Sequence, residues 1–393
     1  MEATTSVYQH ASFLFPSYDD STRLLLQEVY TFFRNTGKLS IDFQFYVAIC
    51  GTFLISFHLF VLTRKGMMTS SVISIMIGIA IFDMVVMVET IVTSANSNLF
   101  FSREGTDCEP PVSYLALYIA WVTLVWCDLV RRSSVWLAIL LASIRLLSLK
   151  FPFSNKCRQM GKPSFGFKSV IASFFIELPV FFLLLFPVRY FANGYMGAEA
   201  TVSKKENKMY RLNFQIFSCK GTPLNSTFPV FDQRLSSLFT VYDGVLGKAY
   251  MLASGTVTKI IPCVMLPVLT ILLILELRKA EKKRSEQNFA KRSSTERTTG
   301  LVLFMAISFT VLELPMGFVY LVQVKHTDLG FIWWGTFVYH ICNAILTVNI
   351  ISHCIICYIM SGQYKATVRR ILKIKTSITH EQHEQTRSSQ MRQ

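Results

Sequence analysis

The sequence predicts an all-α membrane protein, a seven-transmembrane helix bundle with a short amphipathic eighth helix. Three observations predict it. Of the 393 residues, 52% are hydrophobic and only 16% are charged, where a soluble domain carries about 25% charged residues. Seven windows are long and apolar enough to cross ~30 Å of hydrocarbon: 42–62, 70–95, 120–149, 169–189, 248–275, 299–323 and 331–358. Lys and Arg gather in alternate loops, the positive-inside pattern. The net charge of +15 falls largely in those loops, so it reads as a topology signal, and no nucleic-acid partner is expected.

Residues 1–41 are read as an extracellular amino-terminal segment. They are polar and mixed in charge, without the basic start and apolar core of a cleavable signal. Residues 42–360 form the bundle. Its spans contain Pro179, Pro187, Pro262, Pro267 and Pro315, tolerated in lipid where neighbours satisfy the freed carbonyls. One side of the membrane holds Arg64 and Lys65, then Lys150 to Lys168, then Arg278 to Arg297, with Lys283 and Arg284 inside that last run. That side is the cytosol, which puts the amino terminus outside and the tail inside a multi-pass protein of the plasma membrane.

The cysteines fit the same layout. Only Cys108 and Cys219 face outward, and two thiols in an oxidising space most simply form a bridge. The sequon Asn225-Ser226-Thr227 lies in the same long outer loop, roughly 190–247, and is the predicted glycosylation site. After span seven, residues 361–375 place Tyr364, Val368, Ile371 and Leu372 on one helical face, with Lys365, Arg369, Arg370 and Lys373 around the rest. This predicts a helix on anionic inner-leaflet lipid. Residues 376–393 are read as a disordered cytoplasmic tail.

Span three carries charge that lipid does not tolerate. Asp128, Arg131, Arg132 and Arg145 lie in or beside one apolar run, and each such charge must face protein or a water-filled cavity. Arg131 and Arg145 share a face at about 100° per residue and lie about 21 Å apart along the axis. One helix thus carries a polar group at ligand depth and another at the cytosolic mouth. Asp128, Arg131 and Arg132 are spaced i, i+3 and i+4, so the acid can neutralise either base within the helix. That is one reading. The other adds Glu177, Lys259 and Glu313 from spans four, five and six, making a charged cavity for a short peptide or small polar ligand. Arg131 or Arg132 would then grip a carboxylate or amide end by forked hydrogen bonds. Asp83 reads as a structural polar centre satisfied by Asn343 and Asn349. Glu89 is either pocket or packing. His58, His340 and His353 read as hydrogen-bonded packing residues, since no spacing pairs them as ligands. No metal and no cofactor are expected.

Local strings then point to a family. Ile79-Ala80-Ile81-Phe82-Asp83, Ala142-Ser143-Ile144-Arg145, Phe309 six residues before Pro315, and Met360-Ser361-Gly362-Gln363-Tyr364-Lys365 resemble motifs of rhodopsin-like G-protein-coupled receptors. The fuller strings Arg131-Arg132-Ser133-Ser134-Val135-Trp136-Leu137 and Glu313-Leu314-Pro315-Met316-Gly317 resemble nematode serpentine receptors of class W. Those are similar to FMRFamide and myosuppressin peptide receptors. The resemblance covers roughly 40–375 and implies an extracellular ligand, a short neuropeptide, and a heterotrimeric G protein inside. Arg145 would meet that G protein, with Glu296, Arg297, Lys283 and Arg284 alongside. Several positions depart from the pattern. Ile55, Ile144, Leu146 and Glu313 stand where the family keeps Asn, an acid, an aromatic and Trp. The missing acid beside Arg145 suggests Glu296 as its resting partner. Cys108 lies 37 residues before Arg145, implying an insertion or a long outward extension of helix three.

Other classes are disfavoured. Span seven has no lysine for a retinal Schiff base. No HExxH, phosphate loop or serine elbow supports an enzyme. The alternative is a transporter or channel using the buried charge as an ion path. The odd span number and the lack of an internal repeat weigh against it.

Overall fold

The computed structural model describes residues 11–12, 14–102, 114–151, 153–185, 188–198, 214–217, 227–235, 245–285, 307, 310–311, 313–326 and 328–372. Six described helices are long and apolar enough to cross a membrane. The remaining rod, span six, is helical over 313–325. The fold is a seven-helix bundle in which spans one and seven, one and two, two and three, three and four, and three and five are neighbours.

Span one is a helix over Asp20–Leu62, 43 residues long. It begins 22 residues before the predicted window, so half of the segment read as an amino-terminal extension is helical. Asp19 caps it, its carboxylate accepting the Thr22 amide at 3.2 Å and the Thr22 hydroxyl at 2.7 Å. Span two is Ser71–Ser102, and span three is Tyr114–Lys150. Span three starts six residues before the predicted window, and Cys108 lies outside the described residues. Span four is Pro163–Leu185 and keeps Pro179 inside it. Spans two and four approach closely: a Cβ on Gly166 would lie 2.5 Å from the Ser71 carbonyl, and one on Gly78 would overlap Val170.

Span five is interrupted. An α-helix over Val245–Ala253 passes into a π-helical turn over Ser254–Ile260, then resumes as Ile261–Ser285. Such bulges insert a residue into the ladder and often mark functional sites. Span seven is Leu329–Met360, and the eighth helix is Gly362–Ile371, capped by the Ser361 hydroxyl. The eighth helix buries Tyr364 and Val368 against Val61, Leu62 and Met67, so its apolar face meets the inner end of span one. Leu372, placed on the same face by the sequence, is exposed.

The segment between spans four and five, read from the sequence as one long loop, contains a three-stranded sheet. Its strands are β1 (Val188–Ala198), β2 (Phe214–Phe217) and β3 (Thr227–Leu235), in the order β2-β1-β3. β1 pairs in parallel with β2 and antiparallel with β3. Aromatic and β-branched residues in these runs favour extended backbone, and Pro229 sits on edge strand β3, where a missing amide is tolerated. The main core lies between spans two, three and four, around Ile75, Met87, Leu129 and Leu137.

At the outer end, residues 14–18 fold back on the bundle. Phe15 packs edge-on to Phe331 at 5.4 Å and fills the space where Gly330 has no side chain. Arg23 reaches back to the Phe15 and Pro16 carbonyls at 3.0 and 2.8 Å.

Candidate functional site

The buried charges sort into three groups. In the first, Arg132 is held from two helices: Nη1 lies 2.8 Å from Asp128 one turn earlier, and Nε lies 3.2 Å from Glu177 of span four. The Nε–Glu177 approach is close in distance but not aligned as a hydrogen bond, and Nη2 has no partner among the described residues. Arg132 is 2% exposed. On the same helix, Trp126 stands edge-on to Phe174 and Phe181 of span four at 5.6 and 5.7 Å.

In the second group, Lys259 Nζ lies 2.7 Å from Glu313 Oε2. Lys259 belongs to the π-helical turn of span five, and Glu313 to span six. Both are buried. Gly317 lets the two helices meet there, since a Cβ would lie 2.9 Å from Ile260 and 3.1 Å from the Lys259 Cβ.

The third group belongs to Arg131. Its Nη1 donates to the side-chain Oδ1 of Asn343 at 2.6 Å, and its guanidinium carbon stands 5.7 Å from the Tyr339 ring centre. Both partners come from span seven. The Arg131 Nε, buried, has no hydrogen-bond partner among the described residues. Glu89 itself accepts from Thr93 at 2.6 Å and meets the Cys127 thiol.

These six residues therefore do not share one constellation of direct contacts. Asp128, Arg132 and Glu177 form one set, Lys259 and Glu313 another, and Arg131 stands apart with neutral partners. Of the two arginines considered for a ligand's acceptor end, Arg132 is occupied by carboxylates and Arg131 is not.

The polar centre also differs from expectation. Asp83 accepts from Ser134 at 3.5 Å and faces His353 Nδ1 at 3.8 Å. Asn343 is taken by Arg131, and the Asn349 oxygen faces Ser352 at 3.4 Å. The sequence pairing of Asp83 with Asn343 and Asn349 is corrected accordingly. Residue type was read correctly there, but helix rotation decides which polar neighbour arrives. Asp83 and His353 border a cavity of about 50 Å3 with His58 on its far wall, room for a few water molecules. His58 Nδ1 meets the Tyr364 hydroxyl at 2.8 Å, which ties the eighth helix to span one.

Near the carboxyl end of the span-three helix, Arg145 is exposed and has no hydrogen-bond or ion-pair partner among the described residues. Glu296 and Arg297 lie outside the described residues, and Lys283 and Arg284 fall in the last turn of the span-five helix. Cys108, Cys219 and Asn225 also lie outside the described residues, as do 373–393. Among the described residues, no group of His, Cys, Asp and Glu is arranged to hold a metal ion. Residues 42–375 match the family model described as serpentine type 7TM GPCR chemoreceptor Srw. No curated protein matches the chain.

Proposed function

The chain belongs to the serpentine Srw chemoreceptor family of seven-transmembrane G-protein-coupled receptors, and from that premise we propose that it recognises a short extracellular peptide through Arg131. The family is one of receptors rather than enzymes, and its members are multi-pass membrane proteins. The observation that carries the ligand reading is the difference between three buried cations. Arg132 and Lys259 each have a carboxylate within ion-pair distance, while Arg131 has an amide oxygen and a ring. A guanidinium with a free Nε suits a carboxylate or an amide oxygen approaching in plane.

In this reading Glu313 releases Lys259 when a ligand cation takes its place, and Glu177 with Asp128 keeps Arg132 fixed as a clamp. Asp83, Asn343 and Asn349 serve as interior polar support. The amidated end of an FMRFamide-like neuropeptide is the proposed ligand class, on the strength of the sequence strings in spans three and six. Inside, Arg145 with Lys283, Arg284, Glu296 and Arg297 forms the face that meets a heterotrimeric G protein. Lys365, Arg369 and Arg370 of the eighth helix face anionic inner-leaflet lipid. The amino terminus is outside, Asn225 is glycosylated, and Cys108 bridges Cys219.

The test is a screen of amidated neuropeptides against the expressed receptor, read by G-protein activation. An active peptide should lose at least about tenfold in potency at Arg131→Lys, since a point charge does not replace a planar fork. Unchanged potency at Arg131→Lys and Arg131→Met would remove Arg131 from the ligand site.

A further inference from the structure

The first-span helix carries an apolar stripe that its own bundle leaves uncovered. Leu25, Val29, Phe32, Leu39, Phe43 and Tyr46 follow one another at spacings of three and four, with Thr36 filling the single gap. Those six side chains are 41% to 70% exposed. The bundle-facing side of the same helix is different: Tyr30, Gly37 and Ile41 are buried there.

Lipid does not cover the outer part of this stripe. A helix of 43 residues is about 65 Å long at 1.5 Å per residue, roughly twice the hydrocarbon thickness. Arg64 and Lys65 follow its inner end, and Glu28, Arg34, Lys38 and Asp42 lie along its outer half. Counted outward from Leu62, Phe43 and Tyr46 thus fall within the acyl chains and Leu39 at the headgroups, whereas Leu25, Val29 and Phe32 stand in water. An apolar row of that length in water marks an interaction surface.

We propose that this stripe is a self-association surface through which two copies of the chain pair in parallel as a two-stranded coiled coil. The occupant follows from the register. The spacing assigns Val29, Thr36 and Phe43 to a positions and Leu25, Phe32, Leu39 and Tyr46 to d positions. β-branched residues at a with leucine at d favour two parallel strands. Copies of one chain enter a membrane in the same sense, so parallel is the orientation available to them. A strict seven-residue repeat drifts about 20° per turn pair on a straight helix, which a left-handed supercoil corrects. The area is adequate: at about 150–250 Å2 per ring, the exposed parts of Phe32, Phe43 and Tyr46 and the four aliphatic or small side chains bring two copies to roughly 1,000 Å2, the size of a specific interface.

The experiment is cysteine cross-linking of the full-length receptor in native-like lipid. Cys50 is exposed on the same helix, so Cys50→Ser provides the background. Thr36→Cys, on the stripe, should give a covalent dimer under mild oxidation. Thr31→Cys, exposed on another side of the helix, should not. Separately, Phe32→Glu with Leu39→Glu should weaken association by about tenfold or more, read as a shift to single-step photobleaching at matched expression. Equal cross-linking at 31 and 36, or a wild-type receptor that bleaches in one step, overturns the proposal. So does a substituted receptor that keeps its dimer but loses its ligand response, because the stripe would then hold the ligand.

Discussion

Arg131 and Arg132 are adjacent in sequence and opposite in circumstance, and the contrast yields separable outcomes. Arg132 offsets two acids, Asp128 and Glu177, so Arg132→Met leaves both carboxylates uncompensated. An unpaired charge at this depth costs about 2.5–3.5 kcal/mol, and the expected result is poor surface expression and a lower melting temperature in detergent. Arg131→Met removes one charge from neutral partners and should leave expression close to wild type while reducing ligand potency. The Lys259–Glu313 contact at 2.7 Å gives a second test. Glu313→Lys alone should lower thermal stability sharply, and adding Lys259→Glu should restore most of it. Failure of the exchange to rescue would mean that the π-helical turn admits lysine alone. At this scale the sequence named the buried charges through their cost in lipid, and all of Asp128, Arg131, Arg132, Glu177, Lys259 and Glu313 lie inside the bundle. It did not give their pairing. Rotations of a few tens of degrees decide whether Asn343 meets Asp83 or Arg131, and residue spacing within one helix carries no information about the rotation of another.

The elements themselves follow more directly from the sequence, because twenty apolar residues in lipid have few alternatives to a helix. The departures have local causes. Span one extends outward because Asp19 caps a helix-forming run that continues unbroken into the membrane. Its carboxyl is held below the ordinary carboxylate range by hydrogen bonds from Ser21 and Thr22. A depressed folded pKa means the cap acts fully at neutral pH and is lost as the pH falls through the folded value. Amide protection over residues 20–25, taken relative to the intrinsic exchange rate at each pH, should therefore fall on acidification, and Asp19→Asn should blunt that fall. The π-helical turn had no signature in hydropathy, since a bulge leaves the apolar content of a span unchanged. Its packing is testable through glycine. Gly317→Ala would place a Cβ 2.9 Å from Ile260 and should destabilise by about 1–3 kcal/mol. Gly66→Ala meets nothing within 4 Å and serves as the control. The eighth helix offers a further handle. Burial pushes the Tyr364 phenol above its usual range, so the hydroxyl stays protonated and available to His58. Tyr364→Phe removes that bond at 2.8 Å, worth about 1 kcal/mol, and should speed amide exchange in Gly362–Ile371 without unfolding the bundle.

At the scale of the whole molecule, charge distribution decides which way the bundle stands in the membrane. The excess of +15 is concentrated before span two, between spans three and four, between spans five and six, and after span seven. Each Lys or Arg near an anionic inner leaflet contributes about 1 kcal/mol, so the reversed orientation forfeits far more than any single loop can compensate. With seven crossings, the two ends of the chain are expected on opposite sides, the amino terminus outside. Glu28 and Ala366 report on those sides, one exposed on the outer half of span one and one exposed on the eighth helix. Glu28→Cys should react with a membrane-impermeant maleimide in intact cells, above the background of the native cysteines. Ala366→Cys should react only after permeabilisation. The reverse pattern would invert the assignment of ligand and G-protein faces, and labelling of both sites in intact cells would require an even number of crossings.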